Sequence, residues 1–529
     1  MPFFLDMLGE RSPLAKALGS LVRYRNNVRA EVRQMLLRAG ASGDPETMLR
    51  AGAAALRSGI HREAVRPVEN VLRRHPSDAR LWQLLGLLHR GLGDLEPSIK
   101  AFSKAAALLP QDPTIAHGHA SASLEAGLPA AHLFKHAARL QPADRSILLQ
   151  LVTAELAVER NSAPLARIEK KLLCDPTWLG GHSALAKLRW EHGDQAGFTL
   201  SYDRATAVRP RDVALWRGYI ETLLNAGLFH EVLAVIVRGR AAAGEHPTFL
   251  AAEAIARGEL NQSEAEALFR LAFTGGSVPV IVHFLRFLLR GGRVGEAVKI
   301  AEAIAPRDAS NQIWPYLSLA WRLLGDARWE WLEGDPRFIG VYDLTGSLPP
   351  LDAIAERLRG LHKALRHPFA QSMRGGTQTE GHLFVRIEPE IRMLRQAVVD
   401  AVQQHVAQLP PSRAGHPLLV QRRGPISFAG SWSVRLTGGG RHVEHVHPAG
   451  WLSSALYVAL PPETESGTGE AGWLSLGEAS ELRLDLPPIR LIKPKPGRLV
   501  LFPSTMWHGT RPFTAGERLT VAFDVERPV

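Results

Sequence analysis

The sequence predicts an α solenoid of helical repeats followed by a C-terminal antiparallel jelly roll, and three observations carry that reading. Prolines recur at Pro76, Pro110, Pro142, Pro176 and Pro210, at spacings of 34, 32, 34 and 34 residues, a period that belongs to stacked helical hairpins. Between these prolines the apolar residues follow a helical repeat. Beyond Pro410-Pro411 that repeat stops, and short β-rich runs separated by Gly and Pro replace it.

The chain of 529 residues has room for two to four folded units at roughly 100–200 residues each. Residues 1–44 read as a helical N-terminal cap, 45–343 as the repeat solenoid with a capping segment at its end, and 344–529 as the jelly roll with preceding helices. The clearest repeat starts at Ala79, with Trp82, Leu85, Gly86 and His89 in a first helix, Gly93-Asp94 at the turn, and Ser98, Phe102 and Ala105 in a second helix before Pro110. Large side chains fill the gaps left by Gly86 and Ala105, and each hairpin buries its remaining apolar face on the next. Proline closes the second helix because its ring and missing N–H cannot continue one. The unit ending at Pro210 keeps Leu185, Ala186, Gly193-Asp194, Tyr202 and Ala205 but places His182 where tryptophan is expected. The unit ending at Pro247 stretches to 37 residues, with Trp216, Tyr219 and Gly227 marking its first helix. These positions resemble the tetratricopeptide repeat family, and the resemblance implies a protein or peptide partner on the concave face. The Trp and Leu stripes read as packed core, and His89, His182 and His382 as structural. Helical patterning persists from Val280 until RLLGDARWEWLEGDPRFIG breaks the repeat, which is read as a cap.

After Pro349-Pro350, residues 351–366 and 387–409 read as helices separated by the polar segment SMRGGTQTEGH. Strands are then expected at SWSVRLT, LSSALYVAL, GWLSLG, IRLIK, GRLVLF and RLTVAFDV, the spacing of an antiparallel sandwich or jelly roll.

Composition narrows the chemistry. Lys plus Arg outnumber Asp plus Glu by 63 to 52, yet from Ser431 onward there are ten of each sign. The surplus is scattered upstream as single residues, which reads as a solvated basic surface and argues against a nucleic-acid site. No apolar stretch reaches the roughly 18 residues of a membrane span, and the opening MPFFLDMLGERSP lacks the pattern of a secretory signal, so a soluble cytoplasmic protein is expected. A lone cysteine, Cys174, removes multi-cysteine metal sites from consideration, so any metal must be held by histidine and carboxylate.

Three of the 21 histidines crowd into RHVEHVHP: His442, His445 and His447. On a strand alternate residues share a face, so His445 and His447 point one way while His442 and Glu444 point the other. Two imidazoles so placed can grip one ion. A third can come from His508 in LVLFPSTMWHGTRPF, and such a site leaves positions open for an acid and dioxygen. Ten residues later Arg518 offers a guanidinium suited to a carboxylate, on the strand face it shares with Thr520 and Ala522.

From about residue 345 the chain resembles the 2-oxoglutarate- and iron(II)-dependent oxygenases, in particular a bacterial and phage subgroup marked by His-x-His-Pro, Phe-Pro-Ser before the distal histidine, and Glu-Arg opening the last strand. Those elements read here HVHPAGWLSSALYV, LVLFPSTMWH and GERLTVAFDV, with RGGTQT at Arg374 to Thr379 a further match. The resemblance implies that His445, His447 and His508 hold Fe(II). It gives Arg518 the distal carboxylate of 2-oxoglutarate, Thr520 a hydroxyl beside it, and Tyr457 a second hydrogen bond. Where the subgroup has Ser-Gly-Val-Tyr-Tyr, this chain has Ser454, Ala455, Leu456 and Tyr457. His442-Val443-Glu444 also satisfies the commoner His-x-Asp/Glu form, and strand alternation lets only one of the two pairs face a metal. The implied activity is a dioxygenase using iron, 2-oxoglutarate and dioxygen to hydroxylate a protein or peptide recruited by the repeats. The alternative is a tetratricopeptide scaffold whose jelly roll is a catalytically inactive ligand sensor.

Overall fold

The computed structural model of the chain describes residues 13–158, 162–273, 277–369, 371–462 and 467–528, with side chains from 27 onward. Two compact units result, one of residues up to 158 with 385–387, the other of 159–384 with 388–529. Of the cap expected over 1–44, residues 1–12 lie outside the described residues, and Pro13–Ser42 is one helix.

Helical hairpins run through both units because a short sequence device repeats. Helices end at Arg74, Leu108, Leu140, Cys174 and Val208, and each of the five periodic prolines follows two residues later. Two residues beyond four of them, Asp78, Asp112, Asp144 and Asp212 accept hydrogen bonds from first-turn N–H groups of the next helix, caps that contribute about 1 kcal/mol each. Pro-x-Asp thus stops one helix and starts the next. At Pro176-Thr177-Trp178 the aspartate is missing, and that helix start has no side-chain cap.

Between helices the contact is large against small, as the repeat pattern requires: a Cβ added to Gly86 would lie 2.8 Å from the Phe102 ring. His182 shows what replaces the expected tryptophan. Trp82 and Trp216 donate from Nε1 to the carbonyls of Pro76 and Pro210 at 2.8 and 2.7 Å. Nε2 of His182 makes the same link to the Pro176 carbonyl at 2.9 Å. A carbonyl can only accept, so Nε2 carries the proton and Nδ1 accepts from the Ser201 hydroxyl at 2.9 Å. His182→Trp is therefore expected to be tolerated, since an indole N–H can reach the same carbonyl. His182→Ala leaves Ser201 and Pro176 unsatisfied and is expected to cost about 1–3 kcal/mol, measurable as an earlier unfolding transition in urea.

The C-terminal sheets are antiparallel throughout. Nine strands, β1 (Gly340–Asp343), β2 (Met373–Gln378), β3 (Phe428–His442), β4 (Gly450–Ala459), β5 (Leu474–Leu476), β6 (Arg490–Ile492), β7 (Arg498–Pro503), β8 (His508–Thr510) and β9 (Glu517–Glu526), are described. They form a six-stranded sheet in the order β1-β7-β4-β9-β3-β2 and a three-stranded sheet β6-β5-β8. Strand alternation divides the core. Leu519, Val521, Phe523 and Val525 of β9 join Leu499 and Leu501 of β7 under Ile354, Leu358, Leu394 and Val398 of the helices Leu351–Leu361 and Pro389–Gln408. Tyr457, Val500 and Phe502 face the smaller sheet, against Leu474, Leu476, Ile492 and Met506. Arg518 and Thr520 alternate with the apolar residues of β9 and so share this second face.

Three local expectations need correction. The segment read as a polar separator contains β2, whose Gly376 sits where a Cβ would come within 2.3 Å of the Arg435 carbonyl oxygen. A glycine required by close approach of two strands looks like a loop glycine in sequence. The helix expected to reach residue 366 stops at Leu361, and the N–H groups of Leu365 and Arg366 donate instead to the Glu191 carbonyl at 2.9 and 3.2 Å. The capping segment runs on into β1, an edge strand paired with β7.

In the second unit repeat helices and jelly roll share side chains. Trp507, next to His508, donates from Nε1 to the Pro315 carbonyl at 3.1 Å and meets the Tyr316 ring edge-on at 5.5 Å. Ala479, Leu482 and Trp507 belong to the same apolar cluster as Phe284, Leu288, Trp314 and Leu317. Removing the repeats would expose these groups. No helix among the described residues is long and apolar enough to cross a membrane.

Candidate active site

The three-stranded sheet brings the histidines together. β3 ends at His442, and the chain then crosses toward β8, where His445 and His508 exchange backbone hydrogen bonds at 2.9 and 3.0 Å. His445 and His447 therefore lie on an irregular crossing segment, whereas the sequence suggested a strand. Pro448 follows at once and has no N–H to extend a ladder. The His447 N–H donates to the Ser504 carbonyl at 2.9 Å, which fixes the segment's far end.

One ring nitrogen from each of His445, His447 and His508 lies within 4.8 Å of the other two. The Nδ1 atoms are already engaged: His445 with the Val443 carbonyl at 2.9 Å, His508 with the Met506 carbonyl at 3.0 Å, and His447 with the Asp524 carboxylate at 2.7 Å. Each of these partners can accept the Nδ1 proton, which leaves three Nε2 lone pairs for a shared ligand. Burial first, and then the adjacent imidazoles, hold the basicity of His445 and His508 well below the ordinary histidine range. Both are neutral near pH 7, the form that binds a metal. Phe502 closes one side, its ring 4.7 Å from that of His508, and Trp432 lies 5.7 Å from His447.

The second pair does not join them. Glu444 accepts from the Ser480 hydroxyl at 2.5 Å, and His442 pairs through Nδ1 with the Ser372 hydroxyl at 3.1 Å. Burial, with Arg518 as the next cause, depresses His442 to about 3. Its ring lies against His445 at 5.8 Å and makes no part of the converging set.

Arg518 is 4% exposed. Its Nη1 donates to the Gly472 carbonyl at 2.6 Å, and its guanidinium lies over the Tyr457 ring, 5.0 Å from the centroid. No carboxylate among the described residues pairs with it, and burial lowers its affinity for its proton. The Tyr457 hydroxyl is fully buried and has no hydrogen bond of good geometry among the described residues. Thr520 is directly across from Tyr457 in the β4–β9 register. Arg518 forms part of the wall of a pocket of about 730 Å³, with Arg498, Lys495, Trp473 and Phe513. A buried cation in the wall of a pocket, lying against a buried phenol, suits an anion that accepts hydrogen bonds.

Residues 430–524 match the family model described as "Putative 2OG-Fe(II) oxygenase". The match begins in β3, ends in β9 and includes every one of the converging residues. No curated protein sequence shows significant similarity to the chain. Among solved structures, a tetratricopeptide repeat protein from Parabacteroides merdae is 16% identical, covers 44% of this chain and 93% of its own, and has a TM-score of 0.29. MamA from Desulfovibrio magneticus is 19% identical, with 32% and 96% covered and a TM-score of 0.29. A thermophilic tetratricopeptide protein of Thermus thermophilus is 22% identical, with 34% and 100% covered and a TM-score of 0.26. At these scores the likeness adds nothing to the helix packing already described. The chain thus combines stacked helical hairpins with a C-terminal antiparallel jelly roll, and residues 430–524 of the latter are what the oxygenase family model matches.

Asp524 is absent from the residues the sequence singled out. It shares the β9 face of Arg518 and Thr520, so the same alternation would have placed it. Nothing local marks it as a partner of His447, which lies 77 residues away in the chain.

Proposed function

We propose that the protein is a 2-oxoglutarate- and iron(II)-dependent dioxygenase that hydroxylates a protein or peptide side chain recruited by its repeats. The observation that carries this reading is the convergence of three Nδ1-anchored imidazoles, His445, His447 and His508, in the same domain as Arg518, a buried arginine without a carboxylate partner among the described residues. Three neutral nitrogens fit a borderline divalent metal and leave its remaining positions for exchangeable ligands. Bound there, iron(II) supplies the redox chemistry by which dioxygen and 2-oxoglutarate give succinate, carbon dioxide and a hydroxylated product.

The chain's own residues have separate tasks. His445, His447 and His508 hold the metal through Nε2. Arg518 pairs with the distal carboxylate of 2-oxoglutarate, its planar fork matching two oxygens, and the hydroxyls of Thr520 and Tyr457 donate beside it. Gly472, whose carbonyl accepts from Nη1, keeps the guanidinium in place. Phe502 and Trp432 limit water around the imidazoles. The choice of a polypeptide substrate rests on the repeats, whose stacked hairpins suit extended partners.

Full-length protein with iron(II), ascorbate and 2-oxoglutarate is expected to release succinate slowly even without substrate, and faster with its protein target. Protein that binds neither iron nor 2-oxoglutarate would refute the enzyme and leave the scaffold reading.

A further inference from the structure

We infer that Asp524 is a positioning residue that supplies, one hydrogen bond behind His447, the negative charge a three-histidine centre lacks. The inference rests on the proposed metal centre and deepens it. Each of the other two histidines donates its Nδ1 proton to a neutral backbone carbonyl two residues earlier in its own chain segment, Val443 for His445 and Met506 for His508. His447 alone turns its Nδ1 to a carboxylate, at 2.7 Å.

The carboxylate is itself held. Its second oxygen accepts from the Ser453 hydroxyl at 2.6 Å, and Ser453 lies 3.0 Å from the Ser504 hydroxyl. Ser504 returns to the same histidine, its carbonyl accepting the His447 N–H. A closed loop of side chain and backbone therefore fixes both the ring and the carboxylate. The approach leaves no slack: a Cβ on Gly450 would fall 2.6 Å from Ser504 Oγ and 3.2 Å from Asp524 Cβ. Both Asp524 oxygens are engaged, so the carboxylate acts through the imidazole.

A carboxylate on Nδ1–H raises electron density at Nε2, the atom facing the other two histidines, and fixes the tautomer. His447 becomes the strongest of three donors, and the centre regains part of the charge that a carboxylate ligand would have given it. This also gives the Asp524 position a requirement for charge, since an amide can keep the geometry only by presenting its oxygen to Nδ1–H.

The test is cobalt(II) titration of the full-length protein, followed by the ligand-field absorption bands, for wild type, Asp524→Asn, Asp524→Glu and His445→Ala. Wild type is expected to bind one cobalt with bands that disappear in His445→Ala. Asp524→Asn is expected to bind roughly 10- to 100-fold more weakly, with shifted bands, at unchanged apo-protein melting temperature. Asp524→Glu is expected to recover part of the affinity. Wild-type affinity and spectrum in Asp524→Asn would overturn the inference while leaving the metal centre intact. Bands that survive in His445→Ala, or a wild type without them, would overturn the metal centre itself and this inference with it. Equal weakening in Asp524→Asn and Asp524→Glu together with a lowered melting temperature would assign Asp524 a purely structural part and likewise overturn the inference.

Discussion

His508→Ala is expected to abolish metal-dependent succinate release and to remove stabilisation by added metal. Loss of a direct ligand should cost more than the roughly 10- to 100-fold in affinity typical of groups one bond further out. His508 is the most buried of the three and the one carried by the smaller sheet, so the remaining pair, two residues apart, would hold an ion from one side only. The apo fold should survive. His508 donates from Nδ1 only to the Met506 carbonyl, and its backbone bonds to His445 do not involve the side chain. His508→Gln, closer in volume, separates cavity effects from ligand loss. The check is the melting temperature of each variant with and without cobalt(II) or iron(II), since a ligand that binds only the folded state raises it. A metal-induced rise in His508→Ala equal to that of wild type would remove His508 from the centre.

Much of this architecture is legible in the sequence because the determinants are local. Pro-x-Asp marks helix boundaries through the missing N–H of one residue and the capping oxygen of the other. Strand alternation alone separates Arg518 and Thr520 from Leu519, Val521 and Phe523, and the two faces prove to be the intersheet face and the helix-covered core. What escapes is non-local or disguised. β2 is hidden because the close approach of β3 requires glycine there, Gly376 for space and Gly375 for its φ of +70°. The crossing segment 443–447 is hidden because a passage between two sheets leaves no periodicity. His445 and His447 converge on His508 through a single bridge, and only the pairing partner reveals why Glu444 turns away to Ser480. The packing of Trp507 on Pro315 and Tyr316 is equally invisible, since it joins positions 192 residues apart in the chain.

That packing bears on a fragment cut at the expected boundary. A chain beginning near 345 lacks β1 and uncovers Trp507, Leu482 and Ala479, so although its circular dichroism should be rich in β-structure, it should aggregate or melt earlier than a longer form retaining the repeats from 277 onward. A solution comparison of the two fragments by thermal melting and light scattering checks this. Equal stability would mean that the repeat helices merely lean on the sheet domain.

Arg518→Ala is expected to weaken 2-oxoglutarate binding by about one to two orders of magnitude, because charge-assisted hydrogen bonds contribute roughly 1.5–3 kcal/mol and each 1.4 kcal/mol is a factor of ten. The guanidinium is held in place by two contacts. Nη1 donates to Gly472, the guanidinium covers Tyr457, and the rest of the fork faces no described carboxylate. Arg518→Lys keeps the charge but not the planar two-point contact, so it should fall between wild type and alanine. Tyr457→Phe tests the neighbouring donor with little risk to the fold, since it deletes a buried hydroxyl that makes no hydrogen bond of good geometry among the described residues. It should weaken 2-oxoglutarate binding by less than Arg518→Ala does. Metal affinity should be unchanged in all three variants, because the histidines keep their own Nδ1 partners. Calorimetric titration of 2-oxoglutarate into the metal-loaded protein, beside a metal titration of each variant, decides the matter. Unchanged 2-oxoglutarate affinity in Arg518→Ala would place the anchor elsewhere, and a parallel loss of metal binding would mean that Arg518 supports the sheet rather than the cosubstrate.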